Sequence, residues 1–178
     1  MAAALLLLCF SPAALGSRIF EAVDANDPTA VRAALADGAD INEISATGQT
    51  PIMRAADTDK LRAAAALMKM GADATIPDGY SSYTPLHTAA AHGHAKIVGL
   101  LLRYKVEANM MHEADGLTPF HRACQGSEPR HTDTVFTFLD AGTPPDQPSR
   151  DHKRPIDMSG SENTRHLLQE ALREKRRR

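Results

Sequence analysis

The chain has no tryptophan, and aromatic residues make up only 4% of its 178 positions. Strands draw on aromatic and β-branched side chains for their pleated, half-buried faces, so this shortage argues against a β-sandwich or barrel. Cysteine is nearly missing too. Cys9 and Cys124 stand far apart, which excludes a disulfide framework and the paired spacing of a zinc site. Long apolar runs are absent. The longest, Ala2–Phe10, has nine residues, far short of the roughly 20 a membrane-spanning helix needs. No nucleophile elbow, phosphate-binding loop, dinucleotide fingerprint or kinase signature occurs. Net charge is almost balanced at −2. That balance hides an asymmetry: the end Arg173–Arg178 holds five basic residues and one acidic, leaving 15 basic against 21 acidic elsewhere. The body is therefore no obvious surface for nucleic acid or membrane.

What is present is alanine, and a repeat. Thr50-Pro51-Ile52, Thr84-Pro85-Leu86 and Thr118-Pro119-Phe120 recur at intervals of 34. Weaker copies are Arg154-Pro155-Ile156 and, 33 residues before Thr50, Ser17-Arg18-Ile19. Five residues after each start lies a small side chain: Ala22, Ala55, Ala89, Ala123, Ser159. Nine after it come Asn26, Asp59, Gly93 and Asn163, residue types that tolerate a left-handed backbone. Gly38, Gly71, Lys105 and Gly142 follow at the end of the aliphatic run. Each unit reads as a Thr N-cap with Pro at the first helical position, a short Ala-rich helix, a reversal, and an aliphatic helix closed by a left-handed cap. One such pair of helices cannot bury its own apolar face, so neighbours must stack.

The central copy, "YTPLHTAAAHGHAKIVGLLL", resembles the ankyrin repeat nearly residue for residue. The resemblance covers nearly all of Ser17–Arg173. It implies an all-α repeat solenoid of helix–turn–helix units joined by β-hairpin loops, here about five: 17–43 as N-terminal cap, 44–77, 78–111, 112–146, and 147–173 as C-terminal cap. Residues 174–178 form a basic tail. Departures are Met53 in place of the motif histidine, Lys105 and Ser82 in place of glycines, one extra residue ahead of Thr84 and of Thr118, and an insertion, "GSEPRH", expected to lengthen the inter-helix turn of the fourth unit.

Three histidines, His87, His92 and His94, fall within eight residues. Their spacing matches no metal-ligand pattern. The resemblance gives His87, His121 and His94 scaffold roles and leaves only His92 facing the binding groove. Cys124 takes a small, packed core position. No catalytic, cofactor or metal residue is expected. A metal-dependent enzyme built on the histidine stretch is a remote alternative, and a nucleic-acid-associated role for the basic tail is a nearer one.

The resemblance implies a protein-interaction module with an unidentified protein partner, without catalysis; a monomer is expected. By position in the repeat, contact residues are Thr47, Gln49, Asp57 and Thr58 in the second unit, and Tyr80, Tyr83 and His92 in the third. The fourth supplies Asp115, Leu117 and Gln125, and the last hairpin Arg150 and Lys153. The start of the chain raises a separate expectation. An apolar run, Pro12, and Ala14-Leu15-Gly16 ahead of Ser17 outline a cleaved signal peptide over 1–16, and hence secretion or an endomembrane lumen. No Lys or Arg precedes the run, so an apolar helix covering the end of the fold, in a cytoplasmic or nuclear protein, stays open as the alternative.

Overall fold

The computed structural model describes residues 12–177, with side chains from Arg18 onward. The apolar run Ala2–Phe10 lies outside them, and of the proposed targeting segment only residues 12–16 fall within them. Nine α-helices and one 3₁₀ turn are described: α1 (Pro12–Asp24), α2 (Pro28–Ala36), α3 (Pro51–Asp57), α4 (Leu61–Lys69), α5 (Pro85–Ala91), α6 (Ala95–Arg103), α7 (Pro119–Gln125), α8 (Pro129–Asp140), the 3₁₀ turn Pro155–Met158, and α9 (Glu162–Arg177). Helix α1 runs through the proposed cleavage point before Ser17. Helices α1, α3, α5 and α7 and the 3₁₀ turn stack as an inner row, and α2, α4, α6, α8 and α9 as an outer row.

The repeat frame explains the core. The residue two after each start (Ile19, Ile52, Leu86, Phe120) is buried, as are Ala22, Ala55, Ala89 and Ala123 on the same inner helices. Leu67, Leu101 and Phe138 enter from the outer row. Small residues let the inner helices approach, and large ones from behind fill the wedge to native density. Left-handed backbone occurs where the pattern demanded it: at Asn26, Asp59 and Gly93 between helices, and at Gly38, Gly71, Lys105 and Gly142 after them.

Three expectations need correction. Asn163 is not a reversal residue but lies in the first turn of α9, because the last inner element has shrunk to the 3₁₀ turn. The insertion does not lengthen the turn: three residues separate α7 from α8, as they separate α3 from α4 and α5 from α6. The extra length sits in α8, with 12 residues where α4 and α6 have nine; Pro129 at its first position starts the helix early. Thr84 does not cap α5 with its side chain, unlike Thr50 and Thr118. Its hydroxyl instead donates to His87 Nδ1 (2.9 Å). Where Met53 replaces that histidine, the Thr50 hydroxyl serves only as a cap, accepting from the Met53 amide at 3.3 Å.

The hairpin loops are fingers too tight for regular strands among the described residues. Each is closed by one backbone hydrogen bond: Ser45 to Gln49, Asp78 to Tyr83, His112 to Leu117 and Ser149 to Lys153, at 2.8–2.9 Å. The second and third are one residue longer than the first, which accounts for the shifted register ahead of Thr84 and Thr118. Adjacent fingers are tied through Gly79 N–H to Gly48 O (3.0 Å) and Arg150 N–H to Gly116 O (3.1 Å). A Cβ on Gly116 would fall 2.2 Å from that of Arg150, so only glycine permits that approach.

Candidate partner-binding surface

The inner helices end in short turns, and the fingers project beside them. Side chains four and seven residues after each repeat start therefore line one concave edge. Asp24 grips Arg54 through two hydrogen bonds (2.8 and 3.1 Å). Asp57 accepts from Gln49 Nε2 (3.3 Å) and lies 3.5 Å from His92 Nδ1. Farther along, Arg122 pairs with Asp115, donates to Gln125 Oε1 (3.2 Å), and lies over the Tyr83 ring at 4.9 Å. Between these clusters Thr88 and Ala91 form a low floor, with Thr88 donating to Met53 Sδ (3.3 Å).

The two finger tyrosines have different fates. Tyr80 is 81% exposed; its hydroxyl only grazes Ala46 O at 3.5 Å. Tyr83 is half-buried, stacked on His87 and edge-on to His112 at 4.6 Å between centroids. Burial pushes its phenol above the ordinary range. Tyr83 is thus a brace beneath Arg122, whereas Tyr80 stays exposed. Asp115 belongs to the same brace. Burial alone would raise its carboxyl, but hydrogen bonds from His112 and the Leu117 amide, and the Arg122 charge, more than offset that and hold it low. Leu117 is a correction: its side chain is buried at 7% exposure and faces the interior, so it offers nothing to a partner. Arg150 is exposed, but its guanidinium is engaged by Glu113 O (2.7 Å) and His112 O (3.4 Å). Thr47, Thr58, Gln125 and Lys153 are exposed, Gln49 and Asp57 half-buried.

The histidines hold the scaffold. His87, buried, accepts from the Thr84 hydroxyl and donates from Nε2 to Leu117 O (3.3 Å) in the next finger. His121 repeats the arrangement with Thr118 and Lys153 O (3.2 Å). His94 reaches back to Asp57 O (3.3 Å). His92 is the exposed one, with 49% of its side chain accessible. Among the described residues no three His, Cys, Asp or Glu side chains are arranged to hold a metal ion. Cys124 is fully buried, and burial pushes its thiol far up, which removes the thiolate that reactivity needs.

The sequence reading missed four groups. Arg54 and Arg122 share one register, four after the Thr, so they could have been found as a pair. His112 faces Ser81 O at 2.6 Å and Asp115 at 2.9 Å. His131 donates from Nε2 to Ala91 O (3.0 Å), taking the bracing role of His94 once the three extra residues of α8 are counted.

A family model for ankyrin repeats in three copies matches residues 19–110 and 71–151. This chain belongs to the ankyrin-repeat family. Among curated relatives, inversin of Canis lupus familiaris is 32% identical over 137 residues, 76% of this chain and 12% of that protein. Zygote-specific protein 3 of Chlamydomonas reinhardtii is 37% identical over 57% of this chain and 28% of its own length. The mitochondrial disaggregase of Bos taurus is 29% identical over 94% of this chain and 25% of its own. The chain thus spans less than a third of each of these relatives. Ankyrin repeats point to protein–protein interaction as its general role. No helix among the described residues is long and apolar enough to cross a membrane.

Proposed function

We propose that this ankyrin-repeat chain is a docking module that binds a protein segment along its finger tips and concave edge and performs no chemistry of its own. The observation that carries the reading is the combination of an exposed Tyr80 on one finger with an Arg122 held over the Tyr83 ring of the same finger. Exposed tyrosine on a rigid support is the kind of anchor that dominates interfaces, since little entropy is lost when it is covered. The charged groups of the edge are already matched with one another, Asp24 with Arg54 and Asp115 with Arg122. They suit positioning and specificity more than proton transfer. The test is a photo-crosslinking amino acid placed at Tyr80, at His92 and, as a control, at Arg62 on an outer helix, with the full chain expressed in its native source. The same partner should be captured from Tyr80 and His92 and not from Arg62. Capture from Arg62 alone would place the interface on the opposite side and refute the reading.

A further inference from the structure

Away from the fingers, the outer row carries two features the repeat does not require. The first is a groove of about 560 Å³ between α6 and α8, floored by Gly99 and walled by Leu61, Leu102, Thr137 and Ala141, with Asp140 on the α8 side. Glycine in a helix interior weakens the helix relative to alanine. Packing accounts for it only in part: a Cβ on Gly99 would press on the Thr137 methyl at 3.3 Å, closer than ordinary contact, and on no other atom within 4 Å. Lys96 and Arg103 stand at the groove's rim, and among the described residues neither meets a carboxylate within ion-pair distance. The second feature is Phe136, 57% exposed on the other flank of α8, with Asp133, His166 and Glu170 beside it, His166 Nδ1 lying 3.8 Å from Glu170. Phe136 and Thr137 are consecutive, so about 100° of helical rotation turns one away from the groove and the other into it.

We infer that these are the two halves of a self-complementary surface, and that a second copy of this chain is its occupant. A slot with two cations, Lys96 and Arg103, against one carboxylate, Asp140, lies next to an apolar knob with two carboxylates, Asp133 and Glu170, against one imidazole, His166, so the charge on the two sides is opposite in balance. Two copies related by a twofold axis over α8 each insert Phe136 above the other's Gly99, and Asp133 and Glu170 meet the partner copy's Lys96 and Arg103. Such an interface satisfies both features at once, as an isologous contact requires. It lies on the outer helices, so it leaves Tyr80 and the concave edge open and stands apart from the docking role proposed above.

Sedimentation equilibrium of the full chain, from about 1 µM to 1 mM, tests this. A reversible dimer is expected, weakened by salt. Phe136→Ala and Gly99→Gln should each weaken it at least about tenfold without lowering the thermal midpoint. The decisive pair is charge-reversed. A chain with Lys96→Glu and Arg103→Glu, and another with Asp133→Lys and Glu170→Lys, should each be monomeric alone and form a heterodimer when mixed. Circular dichroism establishes that both are folded. A chain monomeric at every concentration, a dimer indifferent to Phe136→Ala and Gly99→Gln, or failure of the two folded charge variants to pair would each overturn the inference.

Discussion

Lowering the pH from 7 to 4 should remove stability through His87. The imidazole is buried, takes the Thr84 hydroxyl proton at Nδ1, and spends its Nε2 proton on Leu117 O. A second ring proton would have no acceptor, and burial opposes the charge. Its pKa accordingly falls from 6.5 to about 4, with burial the dominant cause. An unfolded chain binds this proton below pH 6.5 while the folded one does not until about pH 4. The contribution is therefore complete above pH 6.5, declines as the pH falls through the interval, and is gone below 4. A shift of that size corresponds to about 3 kcal/mol, with about 2 kcal/mol lost by pH 5. His121 is displaced in the same direction, again mainly by burial, and adds to the slope. The lowered carboxylates, such as Asp27 and Asp73, act in a different window: their contributions are lost only below their ordinary value of 3.8. Urea unfolding at pH 7, 6, 5 and 4.5 measures the slope, and His87→Gln should reduce it by close to one proton while lowering stability at pH 7. If the Gln variant keeps the full slope, the histidine is charged in the folded state and the account of its burial fails.

Two further perturbations test the repeat and the brace. Lys105 holds φ at +59°, against +89° to +98° for Gly38, Gly71 and Gly142 at the equivalent caps. Lys105→Gly should stabilise the chain by roughly 0.5–1 kcal/mol, since relief of left-handed strain exceeds the added entropy of the unfolded chain. Lys105→Ala should bring no such gain, and equal gains in urea midpoint would assign the effect to charge. Tyr83→Ala should lower stability by about 1–3 kcal/mol, because it strips the support from His87, His112 and Arg122. Tyr80→Ala should stay within about 0.5 kcal/mol of the parent and act only on partner binding; thermal melts of the two variants separate these outcomes.

Local patterning alone determined the stack of helix pairs. Thr-Pro starts, small residues five later and glycines after the aliphatic runs dictate a unit that cannot bury itself, and stacking follows from that. Even Lys105 was legible, because the frame forces a left-handed residue there whatever its side chain. Tertiary structure decided what local pattern cannot encode. Tyr80 and Tyr83 are three residues apart and indistinguishable by composition. Whether each is a contact or a brace depends on His87, His112 and Arg122, which come from the next turn and the next repeat. Leu117 looked like a fingertip position, yet its side chain is buried. The insertion around Pro129 read as a longer turn, yet α8 absorbed it, since a helix gains hydrogen bonds from extra residues that a turn would leave exposed. The slot at Gly99 and the knob at Phe136 lie 37 residues apart in the chain. Only the packing of α6 against α8 sets them side by side.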